Sequence, residues 1–543
     1  MIRITELKLP LDHPEPALKA AVAKKLRVPA DAIEQIHVFR RGYDARKTDA
    51  INLIYTVDVT IENEGVTLKK LGRDRHVSPS PDTSYKIVAR APDNLKKRPL
   101  VIGMGPCGLF AGFMLAEMGF RPIILERGKI VRERTVDTFR LWRERVLTPE
   151  SNVQFGEGGA GTFSDGKLYT QVKDPQYRSR KVLTEFVKAG APEEILYVSK
   201  PHIGTFRLVS MVENMRALMI ERGADIRFQS KVESIEIDTS PDGSRRARGV
   251  TLANGEQIES DRIVMALGHS ARDTFQMLFN LGVYVEPKPF SIGVRIEHPQ
   301  SLIDAARFGR FAKHPILGAA DYKLVHHCSN GRSVYSFCMC PGGTVVAAAS
   351  EEGRLVTNGM SQYSRKERNA NSGLVVSLTP DDFPGDVSEN PLAGIAFQRH
   401  WEEKAYAAGG STWRAPAQLV GDFLKNIPST DLRTAEPSYR PGVTPTDLSL
   451  CLPDWAVDAI REALPIFGKK IKGYDMGDAV MTGVETRTSS PVRMTRRADH
   501  QSRSVDGLYP AGEGAGYAGG IYSAAIDGIR TAKAVAADIS RRG

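Results

Sequence analysis

The sequence is poor in cysteine and contains no long apolar segment. Its 543 residues include five cysteines, which do not form the pattern of a disulfide framework. No stretch approaches the roughly 18–20 apolar residues that a membrane-spanning helix needs. The N-terminus, MIRITELKLPLDHPEP, is charged and broken by proline, unlike a secretion signal. We therefore expect a cytoplasmic protein with no membrane partner.

Acidic residues are outnumbered by basic ones, 64 against 74, and the net charge is +10. This excess would suit a protein that binds nucleic acid or acidic partners, and it would also be found in a generally basic proteome. It does not by itself establish nucleic-acid binding. The densest basic run, Arg493–Arg503, is interpreted as a solvated hairpin in preference to an anion-binding surface. The length allows two or three domains.

The most specific pattern is Leu100–Glu126, which predicts a complete βαβ unit. A strand at Leu100–Ile102 is followed by G-x-G-x-x-G, a helix, a second strand at Pro122–Leu125 and a terminal acid. This order indicates dinucleotide binding. The glycines allow a tight turn and close approach of a pyrophosphate, and the acid suits ribose hydroxyls; the alternative is a glycine-rich turn without a ligand. The predicted cofactor contacts here are Gly103, Gly105, Pro106, Cys107, Gly108, Glu126 and Arg127.

Two further G-x-G-x-x-G patterns are not complete nucleotide-binding units. The pattern at Gly514–Gly519 follows a strand and precedes a helix, but the sequence ends at Gly543, so we expect no second strand and acid after it. The pattern at Gly156–Gly161 lacks an apolar strand before it, and we interpret it as a loop that lines the cofactor through Gly159, Gly161 and Thr162. No second complete βαβ unit is present for NAD(P)H.

From about residue 98 onward, the chain resembles a largely uncharacterised family of bacterial FAD-dependent oxidoreductases of the glutathione-reductase-like, two-dinucleotide-fold type. The resemblance rests on KPHIGTFRL, GVETRTSSPVR and LYPAGEGAGYAGGI. It implies that FAD is the cofactor, that Glu513 bonds its ribityl or pyrophosphate part, and that the helix beginning near Gly520 faces the flavin. It also implies a three-stranded meander. The further contacts implied are Val232, Ala266, Gly268, Gly512, Glu513, Gly520 and Ile521.

We therefore predict an α/β fold class with a Rossmann-like FAD-binding domain, an inserted α+β domain and a small N-terminal α+β domain of ferredoxin-like topology. Strands are expected at Ile2–Leu9, Ile33–Tyr43, Ala50–Ile61 and Tyr85–Arg90 in the N-terminal region. The predicted domains are 1–90 (N-terminal), 98–287 (FAD-binding, first part), 288–480 (inserted substrate or cap domain) and 481–543 (FAD-binding, second part).

The sequence does not identify the catalytic residues. Cys338 and Cys340 form a C-x-C pair, either a redox dithiol or two buried strand cysteines; disulfide reductases of this fold carry C-x-x-x-x-C near the first helix, where only Cys107 is present. Arg487 either binds a substrate carboxylate or forms a structural ion pair. No metal site is expected, because the His326–Cys328 segment lacks a second group of ligands with suitable spacing.

The function predicted from these patterns is hydride transfer between flavin N5 and a small organic substrate, with an anionic substrate as one option. NAD(P)H is a candidate transient reductant, bound without its own Rossmann domain. Two alternatives stay open: a flavoprotein that modifies tRNA or another nucleic acid, and a non-catalytic FAD-binding electron carrier.

Overall fold

The structure of the protein is a computed structural model that describes residues 1–542. Within these residues the strands form five sheets. Across the same range, no helix combines the length and the apolar character needed to cross a bilayer.

Residues 1–79 form an antiparallel four-stranded sheet with two helices, in the βαββαβ order of a ferredoxin-like unit. The sheet order is β2-β3-β1-β4, and alternate residues of the central β3 are buried because one face packs on the helices. The strand expected at Tyr85–Arg90 was wrong: Tyr85 and Ala89 pack as irregular chain against the next core. The elements are β1 (Ile2–Pro10), α1 (Pro16–Leu26), β2 (Ile33–Asp44), β3 (Asn52–Ile61), α2 (Glu64–Lys70) and β4 (Val77–Pro79).

A second group of elements contains three parallel strands around the βαβ unit, followed by the antiparallel meander. The elements are β5 (Leu100–Ile102), α3 (Pro106–Glu117), β6 (Ile123–Leu125), α4 (Val131–Glu144), α5 (Arg178–Lys188), α6 (Thr205–Glu221), β7 (Asp225–Arg227), β8 (Val232–Thr239), β9 (Arg245–Leu252), β10 (Gln257–Glu259), β11 (Ile263–Met265), α7 (Arg272–Asn280) and β12 (Glu286–Pro287).

The remaining elements build a large mixed sheet and then return to the first part of the nucleotide-binding region. They are β13 (Phe290–Pro299), α8 (Gln300–Phe308), β14 (Val325–His327), β15 (Ser333–Ala347), β16 (Thr357–Ser361), β17 (Asn369–Leu378), α9 (Ala393–Ala408), β18 (Ala415–Leu419), α10 (Val420–Leu424), β19 (Val443–Pro445), α11 (Asp454–Lys470), β20 (Val480–Glu485), β21 (Val492–Arg493), β22 (Leu508–Pro510) and α12 (Ile521–Arg542).

The five-stranded parallel sheet joins segments that are more than 400 residues apart. Its order is β22-β11-β5-β6-β7, so the C-terminal strand β22 extends the sheet that β5 begins. Helix α12 packs along α3, and Gly528 allows this because its backbone lies against the carbonyl oxygen of Cys107. The carboxyl ends of β5, β11 and β22 therefore share one edge, where ligands of such sheets bind.

Two features of the eight-stranded sheet bear on the site. β15 is one long strand whose pairing with β17 is interrupted by bulges. β20 pairs with β13 and keeps the chain in this sheet as far as Glu485, beyond the predicted domain boundary at residue 480.

A buried ion cluster connects the parallel-sheet region to the inserted region. Glu402 on α9 lies 2.6 Å from a guanidinium nitrogen of Arg272 on α7 and 3.1 Å from one of Arg487. All three side chains are almost completely buried. Burial alone would raise the pKa of Glu402, but the two guanidinium groups lower it well below its ordinary value. Glu402, together with the less buried carboxylate of Glu351, thus compensates two buried cations.

We predict that Glu402→Gln lowers the free energy of unfolding by about 3–5 kcal/mol, because it leaves the two buried guanidinium groups with only the partly exposed carboxylate of Glu351 as counter-charge. The matched control is Glu403→Gln, whose partly exposed ion pair with Arg354 is expected to contribute no more than about 1 kcal/mol. Urea unfolding monitored by circular dichroism measures both values. Equal losses for the two variants would contradict the assignment.

Candidate functional site

Glycine-rich turns from three parts of the chain meet at the carboxyl edge of the parallel sheet. Gly103 adopts φ +94°, and a Cβ there would lie 2.6 Å from the carbonyl oxygen of Ala266, which follows β11. Gly512 adopts φ +75°, and its Cβ would lie 2.8 Å from the Cβ of Cys107. Gly108 packs against the Gly103 carbonyl. The turns therefore approach each other at distances that side chains would prevent.

The second glycine-rich loop lies directly on the βαβ turn. A Cβ on Gly159 would be 2.8 Å from the Cα of Gly105, and one on Gly161 would be 2.7 Å from Ile521 at the start of α12. A crevice of only about 10 Å³ lies between these segments, and its lining is mostly apolar, with Leu109, Phe186 and Val212 beside Thr162 and Ile521. The structure thus brings together residues that the sequence analysis assigned to one cofactor site.

The Thr162 hydroxyl in this crevice is a buried polar group with no hydrogen-bond partner among the described residues. Buried hydroxyl groups are normally paired, and an unpaired one at a crevice is a position for a ligand atom. Helices α3 and α12 begin at the same crevice, with Pro106 and Ile521, and the free N–H groups of a helix's first turn have no acceptor within the helix. Such helix N-termini fit an anionic group.

Glu126 was predicted to bind a ribose, but in the structure it is hydrogen-bonded mainly to the protein backbone. Its carboxylate accepts hydrogen bonds from the backbone N–H groups of Met104 at 2.8 Å, Gly128 at 2.9 Å and Gly156 at 3.0 Å. The residue is 4% exposed. A carboxylate has about four acceptor positions, so the side chain first holds three loops together and retains one position for a ligand.

Arg127 and Val232 are the predicted contacts that the structure does not bring into the glycine cradle. The Arg127 guanidinium is paired with Glu150 at 2.7 Å and with Asp273 at 2.8 Å, and so is committed to protein carboxylates. Val232 is buried at the start of β8, two residues after Ser230, whose N–H donates to the backbone carbonyl of Glu126. Val232 therefore lies near the turn only because the neighbouring backbone, at Ser230, is hydrogen-bonded to it.

Glu513 is a carboxylate directed into the site without a protein donor. The Glu513 side chain accepts no hydrogen bond from any residue that the structure describes. Gly514 beside it packs against the Leu267 and Gly268 carbonyls. Burial raises the pKa of Glu513 to about 7, while the charge of Lys288 opposes the shift. A Cβ placed on Gly268, Gly519 or Gly520 would meet no atom within 4 Å. The open space beside an unpaired carboxyl group fits a polyhydroxyl chain.

A second cluster of reactive groups lies on and beside the inserted sheet. Cys338 is half-buried on β15, and its backbone carbonyl accepts a hydrogen bond from Arg295 at 2.9 Å. Burial would lower the pKa of Lys167, but the nearby Cys338, Cys340 and Asp165 raise it above its ordinary value. The sequence analysis missed Lys167 and Arg295; a charged residue within the apolar strand FSIGVRIE was the available signal for Arg295.

Arg295 is fully buried and pairs with the carboxylate of Glu485 on the adjacent strand β20. Burial raises the pKa of Glu485 to about 7, and the Cys338 thiolate contributes to the rise, although Arg295 opposes it. His269, which follows Gly268, has its pKa lowered to about 3 by burial and by the charges of Arg487 and Arg272. The imidazole is therefore neutral at physiological pH.

The alternatives left open for Arg487 are decided by its side-chain partners. Arg487 is buried and bonds Glu402, Ser270 and Ser350, which supports the structural ion pair.

The structure places Glu462 beside His326 and Cys328, with ligand atoms within 4.8 Å of one another. The sequence analysis found no second group of ligands for the His326–Cys328 segment and did not consider Glu462. Glu462 accepts hydrogen bonds from His326 and Ser329.

Comparisons with known proteins match most of the chain. Residues 289–488 match the family model described as FAD-dependent protein, C-terminal domain-like, and residues 1–60 match a domain of unknown function, DUF8436. An uncharacterized protein of Clostridium beijerinckii is 47% identical over 533 residues, covering 98% of this chain and 98% of the relative.

Similar solved structures are more distant. A geranylgeranyl bacteriochlorophyll reductase-like protein from Thermoplasma acidophilum is 11% identical, with 82% of this chain and 79% of that chain covered and a TM-score of 0.35. A 3-ketosteroid-Δ4-(5α)-dehydrogenase from Rhodococcus jostii is 11% identical, with 82% and 99% covered and a TM-score of 0.34. At these TM-scores the similarities carry no argument about this protein. The protein is 47% identical to the Clostridium beijerinckii relative along nearly the whole length of both chains, and residues 289–488 match the FAD-dependent family model. The protein therefore belongs to that relative's family, a family of FAD-dependent proteins.

Proposed function

We propose that the protein is an FAD-dependent oxidoreductase that transfers hydride between flavin N5 and a small organic substrate. The observation that carries the proposal is the meeting of three glycine-rich turns and two helix N-termini at one edge of the parallel sheet, with Glu513 on one of those turns. Hydride or electron chemistry is what FAD supplies when bound, while the protein binds, orients and tunes.

Each part of the cradle suits one part of FAD. The Gly103–Gly108 turn and the N-terminus of α3 would hold the pyrophosphate through N–H groups and the helix dipole. Glu126 would orient these N–H groups and offer its remaining acceptor position to the ribose. Glu513 would accept hydrogen bonds from the ribityl hydroxyls, and the N-terminus of α12 would stabilise negative charge at the flavin edge.

The cavity wall formed by the inserted sheet favours an anionic substrate. Among the residues that the structure describes, Lys167 has no ion-pair partner and no side-chain hydrogen bond. The Lys288 ammonium group donates only to Ser489 and to a backbone carbonyl. Two cations that lack carboxylate partners at short range attract an anion, because desolvated opposite charges bind strongly. His269 is neutral and offers a ring nitrogen for a hydrogen bond or a proton.

The proposal predicts that the purified protein is yellow and that its flavin absorbance bleaches under anaerobic conditions with a suitable donor. NADH, NADPH and pooled metabolites, including organic acids, are the donors to compare. Bleaching by an organic metabolite supports substrate oxidation, and bleaching by NADH or NADPH supports reduction of an organic acceptor. A colourless protein that does not bind added FAD would contradict the proposal.

We predict that Gly105→Asp weakens FAD binding at least about 100-fold, a loss of about 2.7 kcal/mol. The new carboxylate would stand at the α3 N-terminus, where the pyrophosphate is expected, while the backbone there needs no positive φ and the fold is preserved. Gly65→Asp is the matched control, because a Cβ on Gly65 meets no atom within 4 Å. Quenching of FAD fluorescence measures both affinities; equal affinities would refute the assigned pyrophosphate position.

We predict that Glu513→Gln stabilises the FAD-free protein at pH 8 by about 1–2 kcal/mol while weakening FAD binding. The folded-state pKa is raised to about 7 from an ordinary value of 4.5, so the wild-type protein loses stability as pH rises through this window. The difference should vanish near pH 4.5. Denaturant unfolding at both pH values tests this, with Glu286→Gln as control; a pH-independent difference would contradict the role of Glu513.

A further inference from the structure

Strand β15 departs from regular pairing where it carries its two cysteines. The register with β17 shifts between Phe337 and Cys340 and again between Cys340 and Gly343. Cys338 has φ +42°, in the left-handed region that costs a non-glycine residue about 1–2 kcal/mol. Bulges of this kind redirect side chains next to functional sites. The result is a half-buried Cys338 with a fully buried Cys340 behind it.

The two cysteines are in contact with each other and are not joined by a disulfide. The Cys340 thiol donates to the backbone carbonyl of Cys338 at 3.3 Å. The other cysteines, Cys107, Cys328 and Cys451, are buried in separate parts of the structure. Cys338 and Cys340 are thus placed to react with one another.

The surroundings of the pair favour one thiolate and one thiol. The hydrogen bond from Cys340 lowers the pKa of Cys338 well below its ordinary value, and the positive charges of Lys167 and Arg295 add to this effect. The pKa of Cys340 is raised by its hydrogen bond to Cys338 and by burial. The accessible sulfur is therefore the nucleophile, because the thiolate is the reactive form.

The same groups connect the pair to the proposed flavin site. The charge of Cys338 contributes to the raised pKa of Glu513, on the loop between β22 and α12. Lys167 follows the glycine-rich loop that packs on Gly105. A purely structural pair of strand cysteines requires neither a left-handed residue nor two neighbouring cations.

We propose that Cys338 and Cys340 are a redox-active dithiol of this site, with Cys338 as the attacking and Cys340 as the resolving cysteine, and that its substrate is a disulfide. The Cys338 thiolate attacks one sulfur of R–S–S–R, forming a mixed disulfide, and the released RS⁻ takes a proton from water. Cys340 then loses its proton and attacks the Cys338 sulfur, which closes the Cys338–Cys340 disulfide and releases the second thiol.

This exchange is balanced in atoms and electrons. The substrate gains two electrons and two protons and becomes two thiols. The cysteine pair, which starts as one thiolate and one thiol, loses two electrons and one proton, and water supplies the other proton. The inference rests on the proposed function in one respect: the two electrons that return the pair to the dithiol come from FAD that has first been reduced by the organic hydride donor of that function.

The experiment uses the intact FAD-loaded protein, reduced and freed of reductant, with glutathione disulfide as the probe. Free thiols are alkylated after reaction, and peptides are identified by mass spectrometry. We expect an intramolecular Cys338–Cys340 disulfide in the wild type, a stable glutathione adduct on Cys338 in Cys340→Ser, and neither product in Cys338→Ser. Cys451→Ser is the matched control and should behave as the wild type, because Cys451 is buried away from the pair.

Lys167 is tested as a positioning residue through the pH profile of thiol reactivity. In Cys340→Ser, the rate of Cys338 alkylation by iodoacetamide should fall about tenfold at pH 7 when Lys167→Met is added, because the midpoint of the profile moves to higher pH by about one unit. Lys167→Arg should restore most of the rate. A structural role alone would not shift the midpoint.

Flavin absorbance recorded on the same samples separates this inference from the proposed function. Bound FAD with no Cys338–Cys340 disulfide, or with an adduct distributed equally over all cysteines, overturns the dithiol and leaves the flavoprotein assignment standing. Disulfide formation in a protein that does not bind FAD overturns the proposed electron source and supports the cysteine chemistry alone.

Discussion

One carboxylate holds the candidate site together. Glu126 accepts hydrogen bonds from backbone N–H groups in three loops: the βαβ turn, the turn after β6 and the second glycine-rich loop. Hydrogen bonds to an ionised acceptor are roughly twice as strong as neutral ones, and this group is almost fully buried. The position of the cradle therefore depends on a charge that the protein neutralises with oriented amides. The loops are arranged before any ligand enters.

The pKa values of buried carboxyl groups are shifted in opposite directions in the framework and in the candidate site. Glu402 has two guanidinium partners, and its pKa is lowered, so its charge supports the fold. The pKa values of Glu513 and Glu485 are both raised to about 7, because burial outweighs the opposing cations. Such groups cost stability in the free protein, and strained or uncompensated positions concentrate where proteins act on other molecules. The electrostatics thus single out the β22–α12 loop, which carries Glu513, and the end of β20, which carries Glu485.

The local elements of the nucleotide-binding region could be predicted from the sequence, whereas side-chain partners could not. The strand at Leu100–Ile102, the βαβ helix and the helix after Gly520 agree with the structure to within one or a few residues, because turn glycines and apolar runs act locally. Arg127 was assigned to the cofactor, yet its carboxylate partners lie 23 and 146 residues away in sequence. The bulge at Cys338 likewise depends on pairing with β17, which no local pattern encodes.

The N-terminal sheet also bears on the site, through a short chain of backbone contacts. The Arg41 N–H of β2 donates to the Tyr197 carbonyl, and the Ser199 N–H donates back to Arg41. A cavity of about 380 Å³ adjoins this junction. A few residues further along, His202 pairs with Lys167 through an isolated β-bridge. The backbone that carries the Lys167 ammonium group is thus supported from the N-terminal sheet, so displacement of that sheet would move the cation that faces Cys338.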